Sequence, residues 1–351
     1  MMPIVSSFRF QGVFVILEGL LLASANGATP ALPLVPVPHP ATMLLRSEPI
    51  QRELGLGVDQ TAAVLEIVDG AELPLWRLRD LPPEERDRSA GLILDSLRAK
   101  LGRVLTIRQL GRLNELVLQA RGVQAVFDSR VAGVVRVTDG QVERIRTILT
   151  AGFRETNSAE AERSAWAVLS VPQRQILASR VGRLLDLSAV PQIACKAPEI
   201  EGVTDWINSS PVTLASLHGK VVVVHYYAFG CINCIRNLPH YNGWFDRFRR
   251  RDVAIIGIHR PETQAERDVE NVRRKVAEAA IKYPVAVDND SRNWDAWVNR
   301  VWPSVYLIDK NGFVRYWWYG ELNWQETPGE LWMRNRIVEL SGESYRGESL
   351  H

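Results

Sequence analysis

The chain has 351 residues, which is enough for two domains that each bury a full hydrophobic core. Its 42 lysine and arginine residues nearly balance its 40 aspartate and glutamate residues, so charge gives no indication of a nucleic-acid partner. Only three cysteines are present, which excludes a small scaffold held together by several disulfides.

Residues 1–25 have the pattern of an export signal. Arg9 precedes an apolar stretch, and an A-x-A cleavage motif ends at Ala25. Glu18 interrupts the stretch, which is too short for a convincing membrane span, and the sequence has no other long apolar run. We therefore expect cleavage near Ala25 and a periplasmic or secreted protein, with a retained N-terminal anchor as the alternative. The proline-rich residues 26–42 are expected to form an extended linker.

Residues 43–190 show helical periodicity and contain a short recurring element. Its three clearer copies begin at Leu105, Val137 and Leu169, 32 residues apart, and a weaker copy begins at Leu56. Each clearer copy places Thr or Ser three residues before Gln, which is the pattern of an N-cap with a capping box. We predict an all-helical domain in which each copy starts a helix.

The recurring element is similar to the LTxxQ motif of Spy/CpxP-like periplasmic helical proteins. Repeated helix capping is the simpler interpretation, and a surface that binds client proteins is the alternative. The segment contains no cysteine, and its ionisable residues form no recognisable constellation. The sequence therefore predicts its structure but not its function.

Short β-branched runs alternate with amphipathic segments from residue 195 onward, which predicts an α/β domain over 195–342 and a tail over 343–351. Strands are predicted at 221–227, 253–258, 285–287, 304–308 and 314–319, and helices at 233–249, 264–281 and 291–297. In the last helix, Thr327 is expected to be the N-cap, Pro328 the first residue and Glu330 the partner in a capping box.

Cys231 and Cys234 stand three residues apart, where the strand at 221–227 gives way to a helix. Residues i and i+3 in a first helical turn lie on one face, close enough for a disulfide. A helix N-terminus also stabilises a thiolate at the first cysteine. The pattern predicts a reversible dithiol/disulfide switch in which Cys231 attacks and Cys234 resolves. For the third cysteine, Cys195, a buried apolar role is favoured over a role as a second redox partner.

The motifs of the second half resemble the thioredoxin superfamily and, within it, TlpA-like domains of the DipZ-like subgroup. The resemblance covers about residues 195–340 and implies a thioredoxin-like α/β fold after the helical domain. The matching segments are Ala197-Pro198, Leu217-His218-Gly219-Lys220, Cys231-Ile232-Asn233-Cys234, residues 284–290, Trp302-Pro303 and Tyr306-Leu307-Ile308-Asp309.

The resemblance implies an exported thiol–disulfide oxidoreductase that needs no cofactor. Its partners are protein disulfides or dithiols together with an external electron donor, and the direction of exchange is left open. It also implies a redox-active Cys231–Cys234 disulfide and a cis peptide bond between Trp302 and Pro303, by which Pro303 places backbone beside the thiols for strand-like pairing with the substrate. Tyr226, Tyr227, Phe229 and Trp302 are expected to supply the apolar wall in place of the usual tryptophan, with a position in the core as the alternative, and Phe229, Trp302 and Pro303 are expected to bind the substrate.

Two positions depart from the thioredoxin pattern. His225 stands six residues before the first cysteine, where thioredoxin has a buried Asp that is linked to proton transfer at the resolving thiol. Either His225 transfers protons near neutral pH, or it is a buried histidine bonded to the backbone. Gly230 replaces the tryptophan that usually precedes the first cysteine.

Other function classes are weighed against this one. A copper or zinc protein would use the two cysteines with a histidine such as His225 or His240, but a structural zinc site usually needs a second pair of ligands, so no metal is predicted. A non-catalytic module that binds a partner protein also remains open. A peroxidase is disfavoured, because Val224 and Ala228 occupy the positions of the Pro and Thr of the peroxidatic motif.

Overall fold

The structure is a computed structural model that describes residues 37–154, 158–248, 251–345 and 347. It divides into two compact units, with the boundary between Ile193 and Ala194. The predicted signal peptide and residues 26–36 of the predicted linker lie outside the described residues. Among the residues that are described, no helix combines the length and the apolar character needed to cross a membrane.

The first unit is helical, as predicted. Its helices are α1 (Pro40–Arg46), α2 (Glu48–Glu53), α3 (Val58–Trp76), α4 (Pro83–Val104), α5 (Ile107–Arg121), α6 (Ser129–Val135), α7 (Asp139–Arg154), α8 (Ser158–Val168) and α9 (Val171–Val181). Among its described residues, two clusters of buried side chains contribute to its core, and both consist of residues from this unit alone. The unit therefore has its own hydrophobic interior.

The linker prediction over 26–42 is wrong at its C-terminal end, because α1 already begins at Pro40. The side chain of His39 accepts a hydrogen bond from the backbone N–H of Ala41, and Pro40 occupies the first turn, where its missing N–H is harmless. Residues 43–45 of the same helix are completely buried. A short apolar helix in the core thus replaces the end of the expected extended segment.

The recurring Gln residues of the first unit form reciprocal pairs. Gln60 and Gln109 each donate a side-chain hydrogen bond to the other, at 2.9 and 3.0 Å, and Gln141 and Gln173 do the same at 3.0 Å. The capping boxes predicted at the helix starts of the three clearer copies are present as well, for example between Thr106 and Gln109. The copies are therefore joined in pairs: Gln109, Gln141 and Gln173 cap their own helices and also bond to the Gln of another copy, whereas Gln60 makes the bond between copies without capping α3.

The second unit contains one mixed sheet, with strands in the order β1-β7-β6-β3-β4-β5-β2 among the described residues. The strands are β1 (Cys195–Lys196), β2 (Asp205–Ile207), β3 (Val221–Tyr227), β4 (Val253–His259), β5 (Val285–Val287), β6 (Ser304–Ile308) and β7 (Phe313–Tyr319). Strands β3, β4 and β5 are parallel, and the other pairings are antiparallel. The helices are α10 (Ile232–Phe248), α11 (Val269–Glu278), α12 (Arg292–Ala296) and α13 (Gly329–Gly342).

The central strand β3 positions the cysteines. All seven of its residues are buried, which suits an inner strand rich in β-branched side chains. On one face of the sheet, Val223 and Tyr227 of β3 share a core cluster with Tyr241, Trp244 and other apolar residues of α10. The turn from β3 into α10 therefore lies at the carboxyl edge of the parallel strands, where α/β folds commonly place their functional groups.

Two predicted helices differ from the observed ones. The helix expected at 264–281 is a 3-10 segment, Gln264–Arg267, followed by α11, because the side chain of Asp268 accepts from the N–H of Glu270 and starts a new helix there. The capping box expected for α13 is absent, since Thr327 donates its hydroxyl to the carbonyl of Leu322. Both corrections come from local hydrogen bonds that compete with the predicted ones.

Candidate functional site

Cys231 occupies the N-cap of α10. Its backbone N–H bonds to the carbonyl of Ala228 at 3.3 Å, and its own carbonyl accepts the first helical bond from Ile235 at 3.0 Å. The N–H of Cys234 points at the sulfur of Cys231, with N and Sγ 3.4 Å apart. The sulfur thus takes the place of a capping oxygen and meets the partial positive charge of the helix N-terminus.

The two thiols differ in exposure and in acidity. Cys231 is half-buried, and its pKa falls from 9.0 to about 7, chiefly because the thiol of Cys234 donates a hydrogen bond to it. Burial and the nearby carboxylate of Glu262 oppose this shift, and the backbone N–H groups of Cys234 and Asn233 add to it. Cys234 is completely buried, and burial together with its bond to Cys231 raises its pKa. Near neutral pH, Cys231 is therefore the thiol that ionises.

His225 is packed beneath the helix that carries the cysteines. Its ring stacks on Tyr241 of α10, with centroids 4.2 Å apart, and its Nε2 atom forms a hydrogen bond with the hydroxyl of Tyr283 at 3.0 Å. Complete burial lowers its pKa to about 3, so the imidazole is neutral at pH 7. This geometry favours the buried histidine over a group that titrates near neutral pH. The expected backbone partner is wrong, however, because the partner is a tyrosine hydroxyl.

Gly257 on β4 makes room for this imidazole. A Cβ atom at that position would lie 3.0 Å from Nε2 of His225 and 3.3 Å from the ring of Tyr227. The two strands pair in register, with His225 opposite Gly257. The large ring on β3 is therefore matched by the smallest residue on its neighbour.

Side chains that sequence reasoning did not identify hold the turn before Cys231. The N–H of Phe229 donates to Nε2 of His259 at 3.4 Å, and the N–H of Gly230 donates to Oε1 of Glu266 at 2.7 Å. Burial lowers the pKa of His259 to about 4, so its ring is neutral and can accept. Both side chains come from the end of β4 and the segment after it. The one signal in the sequence was Gly230 itself, the small residue where a tryptophan was expected.

The Trp302–Pro303 peptide bond is cis, which confirms that part of the prediction. The ring of Trp302 stacks on Trp294 at 4.2 Å, and the guanidinium of Arg260 lies 4.7 Å from its centre. Trp302, Phe229 and Cys231 all pack, partly buried, against the same core cluster. Tyr226 and Tyr227 are buried in the core, whereas the apolar wall that Phe229 and Trp302 are expected to form stays a prediction.

Cys195 is placed away from this region. It is completely buried on β1, and β7 and β6 separate β1 from β3. Three strand spacings amount to about 14 Å, beyond the Cα separation that a disulfide tolerates. The apolar role of Cys195 is therefore favoured over a role as a second partner for Cys231.

The described residues do not provide the set of ligands that the metal-binding alternative needs. Within the described part of the chain, no three His, Cys, Asp or Glu residues are grouped closely enough to hold a metal ion. The ring of His225, one of the proposed ligands, is engaged by the hydroxyl of Tyr283.

Comparisons with known proteins agree with this geometry. Residues 193–317 match a family model described as the AhpC/TSA family. Protein DipZ of Mycobacterium tuberculosis is 41% identical over 134 residues, which make up 37% of this chain and 19% of DipZ. Thiol-disulfide oxidoreductase YkuV of Bacillus subtilis is 29% identical over 120 residues, 34% of this chain and 80% of YkuV. The C-terminal half of this chain is a thioredoxin-like redoxin domain.

The redoxin domain has further relatives. Thiol-disulfide oxidoreductase ResA of Bacillus cereus is 28% identical over 140 residues, which cover 40% of this chain and 77% of ResA. The crystal structure of the thioredoxin-like superfamily protein SPOA0173 is 30% identical and aligns with 43% of this chain and 98% of that protein, with a TM-score of 0.38. The chain spans about one fifth of the length of DipZ, with 19% of that protein matched, so the likeness to DipZ concerns the redoxin domain only.

Proposed function

We propose that this protein is a thiol–disulfide oxidoreductase that exchanges disulfides with partner proteins through Cys231 and Cys234. The observation that carries the proposal is the pairing of a half-buried thiol of lowered pKa with a buried thiol of raised pKa in one helical turn. Such a pair separates the attacking role from the resolving role. Homologous domains in YkuV and ResA, both thiol-disulfide oxidoreductases, support the same activity.

The reaction proceeds in two exchanges. The Cys231 thiolate attacks one sulfur of a substrate disulfide, so a mixed disulfide forms and the other substrate sulfur leaves as a thiolate that takes up a proton. Cys234 then loses its proton and attacks the sulfur of Cys231, which releases the second substrate thiol. The substrate gains two electrons and two protons, and the protein is left with a Cys231–Cys234 disulfide. An external dithiol donor restores the reduced state, and the same steps run backwards when the partner is a dithiol.

The surroundings of Cys231 suit a protein substrate. Ile232 and Ile235, in the first turn of α10, are 57% and 44% exposed although both are large and apolar. Phe229 and Trp302 are also apolar and only partly buried, and they pack against the same core cluster as Cys231. Exposed apolar side chains of this kind indicate a site of protein interaction.

We further propose that the protein works outside the cytosol. The support is the export pattern of residues 1–25 and the oxidising character of extracytoplasmic compartments, in which disulfide exchange has substrates. Cell fractionation of the tagged full chain tests this. Recovery of the full-length protein in the cytosolic fraction, with its N-terminus intact, contradicts it.

Reduction of insulin disulfides by the full chain, with dithiothreitol as donor, tests the activity. We expect Cys231→Ser to abolish turnover and Cys234→Ser to accumulate a mixed disulfide that is visible on a non-reducing gel. Cys195→Ser is the matched control and should keep the activity of the wild type, because Cys195 lies on a distant strand. Equal activity of the Cys231→Ser variant and the wild type contradicts the proposal.

A further inference from the structure

The turn that presents Cys231 is held from outside by one buried carboxylate. Glu266 is 1% exposed and accepts three backbone hydrogen bonds. Its Oε1 atom binds the N–H of Gly230 at 2.7 Å, and its Oε2 atom binds the N–H groups of Glu262 at 2.6 Å and Thr263 at 2.9 Å. A buried carboxylate needs such donors to compensate for its lost hydration, so these bonds fix its position.

Gly230 is shaped to receive this carboxylate. A Cβ atom at position 230 would lie 2.8 Å from Oε1 of Glu266, closer than real Cβ atoms approach an oxygen. The backbone of Gly230 does not have a positive φ, so the conformation of the turn does not itself require glycine. The absence of a side chain is explained by the approach of Glu266, and the two residues form a matched pair.

We propose that Glu266 is a positioning residue for thiol exchange, because its carboxylate ties the turn before Cys231 to the segment that follows β4. This inference rests on the proposed function and deepens it. Gly230 is the residue directly before Cys231, so a bond at its N–H restricts where the sulfur of Cys231 lies above the first turn of α10. His259 makes the same kind of contact one residue earlier, at the N–H of Phe229.

A positioning role and a direct charge effect predict opposite results. The titratable groups that act directly on Cys231 are Cys234 and Glu262, and the carboxylate of Glu262 raises the pKa of Cys231. Glu266 and Arg260 act in turn on Glu262, Glu266 acts on His259, and Tyr227 and Tyr241 interact with Cys234. If Glu266 acted only through its negative charge, its removal would lower the pKa of Cys231. If it positions the turn, its removal loosens the hydrogen bonds that reach the Cys231 sulfur, and the pKa rises toward 9.0.

The test compares Glu266→Ala with Glu270→Ala in the full chain. Glu270 lies four residues further on, is exposed, and contacts neither the turn nor the thiols. Iodoacetamide labelling of Cys231, followed by peptide mass spectrometry from pH 5 to 9, gives its pKa, and thermal melts report folding. If the pKa of Cys231 returns completely to 9.0, the thiolate fraction of Cys231 at pH 7 falls from about one half to about one hundredth. We therefore expect labelling of Cys231 in Glu266→Ala to slow by about five-fold to fifty-fold.

A double-mutant cycle with Gly230→Ala makes the test specific to the pair. Gly230→Ala should slow the labelling of Cys231 by itself, because the new methyl group displaces the carboxylate, and it should add less than about two-fold in the Glu266→Ala background. Equal effects in both backgrounds overturn the inference, as does an unchanged or lowered pKa of Cys231 in Glu266→Ala. If Glu266→Ala does not fold, Gly230→Ala is tested by itself, and a labelling profile of Cys231 that is unchanged from the wild type then overturns the inference.

Insulin reduction by the same variants separates this inference from the proposed function. A wild type that labels at Cys231 as expected but reduces no disulfide contradicts the proposed function and leaves the positioning role standing. Conversely, a wild type that reduces insulin while Glu266→Ala keeps the labelling profile of Glu270→Ala supports the function and overturns the positioning role.

Discussion

Replacement of Cys234 by alanine and by serine separates the two reasons why Cys231 is acidic. The largest contribution to its lowered pKa is the hydrogen bond donated by the Cys234 thiol, and the backbone N–H groups of the helix contribute less. Alanine removes the donor and keeps the backbone. Serine keeps a donor, since its hydroxyl points from the same Cβ atom. The pKa of Cys231 should therefore rise in Cys234→Ala and stay low in Cys234→Ser.

The size of the effect follows from the two acidities. With a pKa of about 7, half of the Cys231 thiols are ionised at pH 7, whereas an ordinary pKa of 9.0 leaves about one in a hundred ionised. Because the thiol of Cys234 accounts for the largest share of this difference, we expect labelling of Cys231 at pH 7 to slow by about ten-fold in Cys234→Ala. In Cys234→Ser the change should stay within about three-fold.

The assay is the rate of iodoacetamide labelling of Cys231 from pH 5 to 9, with Cys195→Ser in every background so that only the site cysteines react. The same experiment on the wild type measures the labelling rate of Cys234, which should be far lower than that of Cys231 because burial raises the pKa of Cys234. Identical midpoints for the alanine and serine variants would falsify the assignment of the Cys234 thiol as donor. Faster labelling of Cys234 than of Cys231 would reverse the proposed roles.

Three further predictions follow from the burial and charge of named groups. His225 has a pKa of about 3 in the folded protein against 6.5 when exposed, so only the unfolded state binds a proton between these values and stability falls as the pH drops below 6.5. In urea titrations, His225→Asn should lose about 2 kcal/mol less than the wild type between pH 7 and pH 5, and parallel losses would contradict this. Glu262→Gln removes a charge that raises the pKa of Cys231, so its labelling midpoint should move to slightly lower pH, and a move upward would contradict the assignment. Residues 37–193 and 194–351, expressed separately, should each melt cooperatively because their cores share no residue, and a non-cooperative melt of either would refute this.

The sequence predicted those parts of the molecule that depend on local patterns. The β-branched run of β3 and the strands at 285–287 and 304–308 were predicted to the residue, since continuous apolar runs between turn signals specify buried strands. The capping boxes at Thr106 and Ser170 also formed as expected, because both partners lie within four residues of each other. Such patterns predicted the α/β class of the second unit and the place of the two site cysteines between a strand and a helix.

The contacts that were missed join residues far apart in the chain. Glu266 reaches Gly230 across 36 positions, and Tyr283 reaches His225 across 58. In the sequence, Thr263 and Glu266 have the T-x-x-E spacing of a capping box, a local pattern that predicts a helix start and gives no sign of the contact with Gly230. Glu266 and Gly230 become neighbours because β3 and β4 pair in parallel, so the segment that follows β4 lies beside the turn that follows β3.

The same contact that activates Cys231 also sets the order of the two exchanges. While Cys231 is a thiolate, its charge and its hydrogen bond both hold the proton on Cys234, which adds to the effect of burial. Once Cys231 is bound in a mixed disulfide, its sulfur is neutral, so both of those contributions disappear and only burial and the carboxylate of Glu262 still raise the pKa of Cys234. The resolving thiol therefore becomes easier to ionise when a substrate is attached, and His225, which stays neutral, does not have to titrate for this to happen.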